Sequence, residues 1–413
     1  MARVLYISQW FPPENGAVGL QVAHALKARG HDVEVLTGFP NYPGGKLAAG
    51  YRLAPYRREV MEGVAVHRVY LYPSHDRSSL GRALNYVSFF LSCITFLLAK
   101  GRRYDVIYVY HPPIMPAFAA ALSGLLTRRP FVVEVQDLWP DSVATAGMSG
   151  ASAIALILGP ICRFVYQRAA IVLGQSHGMA RRLVERGAAT RKTGVVFNWA
   201  NEDAARAIGR RETREPAFEG RFNFVFAGNL GAVQALEVLV EAAISAAHTE
   251  PRIQLTLIGD GTERARLEAL VSQSGGNAVQ ILDAVPVSQI GDVLTQADVL
   301  VVHLKNDPLF EITIPSKVQF YLAMGKPVLI GVAGEAARIV TDAGAGVAVP
   351  PSDAAAVADA MLRMARMPPV DLKAMGVAAR SAYDASYSFA AALDRRADFI
   401  DKAAAHGHRV ELS

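Results

Sequence analysis

One order of segments occurs twice along the chain and restricts the fold more than any other feature: a short apolar strand, a glycine-bearing turn, a helix and a second apolar strand. RVLYIS (Arg3 to Ser8) is the first such strand. The turn FPPENGAVG follows, Leu20 to Lys27 has helical character, Gly30 ends it, and DVEVLTG is the next strand. Strands joined through a helix run parallel, so a sheet covered on both faces is expected. Further apolar strands are expected at Val64 to Tyr70, Val106 to Tyr110, Phe131 to Val135, Ala170 to Leu173 and Thr193 to Val196. The polar, Arg-rich interval Asn201 to Arg221 then interrupts the pattern, and FNFVFAGNLG restarts it. Helices at Leu236 to Ala246, Glu263 to Gln273, Val287 to Ala297 and Ser316 to Met324 alternate with the strands IQLTLIG, VQILD, DVLVVHL and PVLIG. The expectation is α/β: two Rossmann-like, doubly wound domains over 1–200 and 222–389, a linker over 201–221, and a helix over 390–405 that crosses back to the first domain. The two are expected to face each other across a cleft lined by strand carboxyl ends, where such sheets bind ligands.

A length of 413 residues, 52% of them apolar and 19% charged, allows two cores and excludes general disorder. Cys93 and Cys162 lack metal-type spacing and sit in apolar surroundings, which fits a reducing cytoplasm and neither a zinc site nor a disulfide framework. Arg3 to Ile7 reads as a short buried strand running into a loop and helix, so no cleavable signal is expected there. Charge is uneven: residues 1–200 carry 22 Lys and Arg against 11 Asp and Glu, and the remainder carries 20 against 26. The basic residues are scattered without interleaved aromatics, which argues against nucleic acid and for an anionic membrane surface. Tyr86 to Ala99 (YVSFFLSCITFLLA) is an uncharged run flanked by Arg77, Arg82, Lys100, Arg102 and Arg103. It is too short to span a bilayer, which takes about 20 residues. Two readings stay open, a helix lying in the headgroup region and a helix buried in the first domain.

Candidate chemistry clusters where strands end. AGNLG places Gly228 and Asn229, and IGDG places Gly259, after successive strands of the second half, in turns where backbone N–H groups can approach a phosphate. In FEITIPSKVQFYLAMGKP, Pro315 and Ser316 open a helix whose free amides, with the Lys317 ammonium, suit a diphosphate. A cation in a first helical turn opposes the helix dipole unless an anion is present, which marks Lys317 as the leading phosphate ligand. Glu311 is a candidate acceptor for sugar hydroxyls or a surface charge. In the first half, YHPP and VQDLWPDS place His111 and Asp137 at strand ends, as groups to orient or charge-stabilise substrates or, for His111, as a structural imidazole. Trp10 and Trp139 suit stacking against a sugar ring or packing in a core.

Taken together, FPPENGAVG with RGHDVEVLTG, DLWPDS, FNWAN, GNLGAVQALEVLVEAA, LIGDG and IPSKVQFYLAMGKPVL resemble the retaining GT-B glycosyltransferases of family four. The resemblance is closest to the fucosamine-transferase-like and colanic-acid-type enzymes of bacterial O-antigen and capsule assembly, and covers nearly the whole chain. It implies a metal-independent transferase without cofactor, with a nucleotide diphosphate sugar, usually a uridine one, in the second domain. The first domain is then the acceptor side, with a polyprenyl-diphosphate-linked saccharide as acceptor at the inner face of the cell membrane. Carried over by position, Gly16 approaches donor phosphates or acceptor, Gly228, Asn229, Gln234, Gly259, Pro315, Ser316 and Lys317 surround the phosphates, and Val285 meets the base. Asp137 matches the acidic member of the family's His-Asp pair, with Gln136 in the His position. Three positions depart: Asn229 and Gln234 stand where many members carry Arg and Lys, and the paired glutamates fall on Ile312 and Phe320, with Glu311 one position out of register. These departures also motivate a second reading, a weakly or non-catalytic member that serves as an assembly partner of other transferases; a sugar-nucleotide epimerase is disfavoured by the PSK and AMGKP segment.

Overall fold

The computed structural model describes residues 1–14, 18–74, 79–139, 151–206 and 216–412. It divides into two units, Met1–Val196 with Leu393–Ser413, and Phe197–Ala392.

In the first unit the chain runs β1 (Arg3–Ile7), α1 (Gly19–Ala28), β2 (Asp32–Gly38), β3 (Tyr56–Met61), β4 (Val64–Val69), α2 (Ser79–Lys100) and β5 (Val106–His111). It continues through α3 (Met115–Thr127), β6 (Phe131–Val135), α4 (Ala151–Arg168), β7 (Ile171–Gly174), α5 (His177–Glu185) and β8 (Thr193–Val195). The eight strands lie in the order β3-β4-β2-β1-β5-β6-β7-β8. All neighbours are parallel except β3, which pairs antiparallel with β4 from Tyr56↔Val69 to Met61↔Val64. Strand β3 is an addition to the expected set. Its sequence, YRREVM, lies at the sheet edge, where charged side chains deter further pairing, and it therefore lacks the apolar run that reveals an inner parallel strand.

The second unit contains α6 (Glu202–Ala205), β9 (Phe222–Ala227), α7 (Leu236–Thr249), β10 (Ile253–Ile258), α8 (Arg264–Ser274), β11 (Val279–Leu282), α9 (Val287–Leu294) and β12 (Val299–His303). Then come α10 (Pro308–Glu311), α11 (Ser316–Ala323), β13 (Val328–Gly331), α12 (Glu335–Asp342), β14 (Gly346–Ala348), α13 (Ala354–Ala365) and α14 (Pro369–Ala382). Its six strands are all parallel, in the order β11-β10-β9-β12-β13-β14. Inner strands such as IQLTLI are buried along their whole length because helices cover both faces. The order reverses between β9 and β12, which splays the loops beyond their carboxyl ends and opens a crevice there. The unit starts at Phe197, so it takes in residues that the sequence reading assigned to the first domain and linker. The cause is non-local: Ala200 N–H donates to Tyr383 Oη at 3.1 Å, and Glu202 Oε1 accepts from Tyr383 Oη at 3.1 Å and from Phe389 N–H at 2.8 Å.

Helix α15 (Phe389–His406) belongs to the first unit from Leu393 onward. It lies over β8, where Gly194 leaves room for the Phe399 ring; a Cβ there would stand 2.7 Å from that ring. Its Arg396 is 1% exposed and reaches Glu134 of β6, also 1% exposed. Arg396 donates through Nε to Glu134 Oε2 at 3.0 Å and through a terminal nitrogen to Oε1. Gln136 Nε2 at 2.7 Å and the Tyr108 hydroxyl complete the carboxylate's partners. Burial works against the guanidinium charge, but Glu134 together with Tyr108 and Tyr110 more than offsets it and holds the Arg396 pKa above its ordinary range.

Removing one member of such a pair leaves the other charge buried and unsatisfied, at a cost of about 3–5 kcal/mol. Arg396→Met is therefore expected to destabilise the first unit by that order, and Arg396→Met with Glu134→Gln to recover part of it. Urea titration of the single and double variants checks both.

Candidate functional site

Strands β9 and β10 each end in a glycine with positive φ, Gly228 at +140° and Gly259 at +149°. The two turns interlock: a Cβ on Gly259 would stand 1.9 Å from the Gly228 carbonyl oxygen, and one on Gly228 would stand 2.8 Å from Cε and Nζ of Lys317. Sequence reading placed these glycines in turns whose backbone N–H groups can approach a phosphate. Their own N–H groups are engaged within the sheet ends, Gly228 N–H donating to Ile258 O at 2.8 Å and Gly259 N–H to Leu282 O at 3.1 Å. What the glycines supply is space. Without side chains at these positions, Lys317 lies directly across the end of β9.

Lys317 stands in the first turn of α11, whose N-cap is Pro315 and whose opening amides, on Ser316 and Lys317, precede the first intrahelical bonds. Its ammonium lies 4.7 Å from the centroid of Phe226, over the ring face. Burial lowers the Lys317 pKa, and among the described residues no charged group contributes to that shift. A half-buried cation beside the positive end of a helix has two unfavourable electrostatic terms and no carboxylate to offset them, which is the arrangement expected of an anion site.

These groups open into one pocket of about 540 Å³ within the second unit. Of the sequence candidates, Gly228, Asn229, Gly259, Val285, Ser316 and Lys317 line it. The Asn229 amide is held by small neighbours, since a Cβ on Gly231 or Gly261 would stand 2.7 Å from it. Pro315, Gln234 and Glu311 are not among the lining residues. Glu311 is exposed at the end of α10. Gln234 contributes its backbone instead: His303 Nδ1 bonds Gln234 O at 2.7 Å, while His303 Nε2 accepts from Ser352 N–H at 3.3 Å. Those partners require neutral imidazole with the proton on Nδ1, and burial lowers the His303 pKa accordingly. Gly16 lies outside the described residues.

Sequence reasoning missed several lining residues. Trp199, Ala200 and Asn201, quoted only as part of FNWAN, form part of the wall, and Val287, Ile290 and Leu294 of α9 make another part apolar. Phe320 lines the pocket at the position of the resembled family's second glutamate, and Tyr321 fixes the floor by accepting from Ala227 N–H at 3.1 Å. Asp260 is the only carboxylate among the lining residues. Among the described residues no group of His, Cys, Asp and Glu is placed to hold a metal ion.

In the first unit, His111 and Asp137 sit at the ends of the adjacent strands β5 and β6, where His111 pairs with Val135. His111 is fully buried, with Trp139 edge-on at 5.8 Å and neither ring nitrogen hydrogen-bonded among the described residues. Burial pushes its pKa down to about 3. Such an imidazole is neutral at neutral pH. Asp137 is reached by solvent, yet crowding by the surrounding protein raises its carboxyl pKa.

Residues 16–199 match the family profile described as a glycosyl transferase 4-like domain, and residues 221–367 match that of the glycosyl transferases group 1. The chain is 27% identical over 338 residues to the Escherichia coli (strain K12) protein ascribed to colanic acid biosynthesis as glycosyl transferase WcaI, covering 78% of this chain and 81% of that one. It is 26% identical over 300 residues to the Pseudomonas aeruginosa protein WbjE, named as a glycosyltransferase, covering 71% and 73%. Among solved structures, Anabaena HepE in complex with UDP and glucose superposes with a TM-score of 0.62 at 17% identity, covering 97% of this chain and 100% of that one. The α,α-trehalose 6-phosphate synthase of Burkholderia multivorans gives 0.70 at 16%, covering 98% and 99%.

Two outcomes follow from these positions. Gly259→Ala, which would drive a Cβ into backbone, is expected to lower thermal stability more than Gly228→Ala, whose clash is with the movable end of a lysine; melting curves of both check this. For His111 the folded pKa lies below the unfolded value of about 6.5, so its contribution is fully present above that value and is lost as pH falls from there toward 3. His111→Phe is expected to remove up to about 1.4 kcal/mol per pH unit from the slope of stability across that window, read from denaturant titrations at stepped pH.

Proposed function

The chain belongs to the GT-B glycosyltransferases of family four, and from that premise we propose that its second unit holds a uridine diphosphate sugar, transferred with retention to a lipid-linked or saccharide acceptor. The observation that carries the donor reading is the half-buried Lys317 ammonium, without a charged partner among the described residues, between the Gly228 turn and the opening of α11. A role in bacterial surface polysaccharide synthesis is supported by the colanic acid biosynthesis named for WcaI, glycosyl transfer by the names of both relatives, and a uridine donor by the UDP bound to HepE.

In this reading the diphosphate lies against Lys317, the Ser316 and Lys317 amides and Asn229. As the anomeric bond breaks, negative charge grows on the leaving diphosphate, and donors already aimed at it stabilise that charge more than the ground state. The base lies toward Val285 and the apolar side of α9. Phe320 removes the usual carboxylate from the ribose side, so Asp260 and Asn201 are the polar lining groups left to meet ribose hydroxyls. The acceptor side is the first unit, with Asp137 as its exposed acidic group and the inner membrane face as its setting. No metal or cofactor enters this scheme.

Phe320 is also the observation that favours the second reading, a GT-B protein that assists other transferases without turning over. One experiment addresses both. Ligand that binds only the folded state raises stability by about 2.7 kcal/mol at 100 times Kd. UDP is expected to raise the melting temperature more than GDP or ADP, and Lys317→Ala to abolish the shift. A UDP shift with no sugar transfer to any lipid-linked acceptor supports the assisting role, and no shift with any nucleotide removes the donor reading.

A further inference from the structure

Helices α2, α3 and α4 form one layer of the first unit, with α2 packed on α3 and α3 on α4. Phe90, Phe118 and Phe164 join them, with ring centroids 5.3 and 6.0 Å apart. None of the three helices contains an Asp or Glu. Their charged residues are Arg82, Lys100, Arg163 and Arg168, and Arg102, Arg103, Arg128 and Arg129 follow in the adjoining turns.

Helix α2 has two apolar faces. One is internal, with Phe89, Cys93 and Leu97 fully buried. Asn85 on that face is 2% exposed, accepts from Gln9 Nε2 at 2.6 Å and donates to Tyr72 O at 2.7 Å. The other face is a solvent-exposed stripe at alternating spacings of three and four residues, Leu80 (70%), Leu84 (45%), Val87 (45%), Leu91 (56%) and Leu98 (46%), with the partly buried Ile94 between the last two. Leu125 and Leu126 end α3 at 47% and 65% exposure, and Leu156 and Ile157 of α4 stand at 78% and 66%.

We infer that the outer face of this layer lies on an anionic lipid surface, with the α2 stripe in the headgroup and upper acyl region and the arginines at the ends of α2 and α3 against lipid phosphates. The segment Leu80–Arg103 is long and apolar enough to cross a membrane. It cannot do so here, because its inner face and the Asn85 hydrogen bonds are part of the first unit. A helix held on one side by protein and bare on the other rests in the interface, its apolar side chains entering about 5–10 Å. Charge selects lipid over a second copy of the chain. Two copies apposed along the stripe, in either direction, would set cations against cations with no carboxylate on either helix, whereas an anionic bilayer supplies the missing sign. Asp105, the next acid after the layer's first helix, accepts the Arg3 backbone N–H at 2.9 Å and shares a surface hollow with Arg102, Arg103 and Arg129. This deepens the lipid-linked acceptor reading above by naming the surface that would meet the membrane.

Co-sedimentation of the full chain with vesicles of phosphatidylcholine alone, and with phosphatidylglycerol added at 30%, tests it at low and high salt. Binding is expected only to the anionic vesicles and to weaken with salt. The stripe variant Leu84→Gln/Leu91→Gln/Leu98→Gln and the charge variant Arg103→Glu/Arg128→Glu are each expected to lower the partition coefficient by at least about tenfold. The UDP-induced melting shift, measured on the same samples, reports the donor site separately, so a failed donor reading leaves this outcome interpretable, and unchanged melting without ligand shows the variants folded. Equal binding to neutral vesicles, or binding unaffected by either variant, overturns the inference. So does a concentration-dependent dimer that the stripe variant abolishes, with no vesicle binding.

Discussion

A parallel sheet has to be covered on both faces, because each crossover lays a helix across it and leaves strands with no solvent side. In both units that requirement turns inner strands into continuous apolar runs and moves every polar task to the loops beyond their carboxyl ends. It also gives α15 its role in the first unit. The Glu134 carboxylate, which would be untenable under an apolar helix, is met there by Arg396, Gln136 and Tyr108. Such a pair adds little stability relative to well-packed hydrophobic residues, but a misplaced helix would leave two buried charges unpaired. Its value is therefore in fixing the register of α15, reinforced by the slot for Phe399 at Gly194.

The pocket beyond β9 and β10, the donor site of the proposed reading, solves a different problem with the same topology. Its cation and the end of α11 carry the same sign, so they destabilise each other until an anion arrives. Among the described residues no charged group relieves this: Lys317 lies over the Phe226 ring face, and a cation–π contact of about 1–2 kcal/mol is small beside the interaction with a diphosphate. Rigid surroundings keep the lysine in place. Gly228 and Gly259 close on each other with no space for a methyl group, Tyr321 pins the end of β9, and His303 ties the Gln234 turn to Ser352. The site is thus preorganised by backbone contacts, with few side chains reaching the ligand.

Local chemistry made much of this legible in the sequence. Apolar runs between turn residues revealed the inner strands, and glycine after a strand with Pro-Ser-Lys before a helix revealed the core of the pocket. What escaped was non-local. Strand β3 is recognisable only by pairing with β4, since its residues read as a charged loop. The unit boundary at Phe197 depends on Tyr383 and Phe389, nearly two hundred residues away in sequence. Gln234 was placed by positional analogy and Glu311 by its place just before the Pro-Ser-Lys turn, and neither is among the pocket's lining residues. His111, open to two readings in the sequence, is enclosed by its fold, where solvent exclusion keeps it neutral.

Tyr86 to Ala99 shows why one run supported two readings at once. The helix superimposes a buried face marked by Asn85, Phe89 and Cys93 on an exposed one marked by Leu84, Val87 and Leu91, so the buried-helix reading holds for one face and the headgroup reading concerns the other. No periodicity separates them when both faces are apolar; only the hydrogen bonds of Asn85 identify the inner side. The positive balance of the first 200 residues also becomes partly local, because three adjacent helices without a single acid, with the turns that follow two of them, hold eight of its cations. A freely solvated surface intersperses both signs of charge, and one that combines exposed leucines with cations alone is prone to association. The layer's composition therefore requires a counterpart that is apolar and anionic together, and a lipid headgroup boundary has both properties.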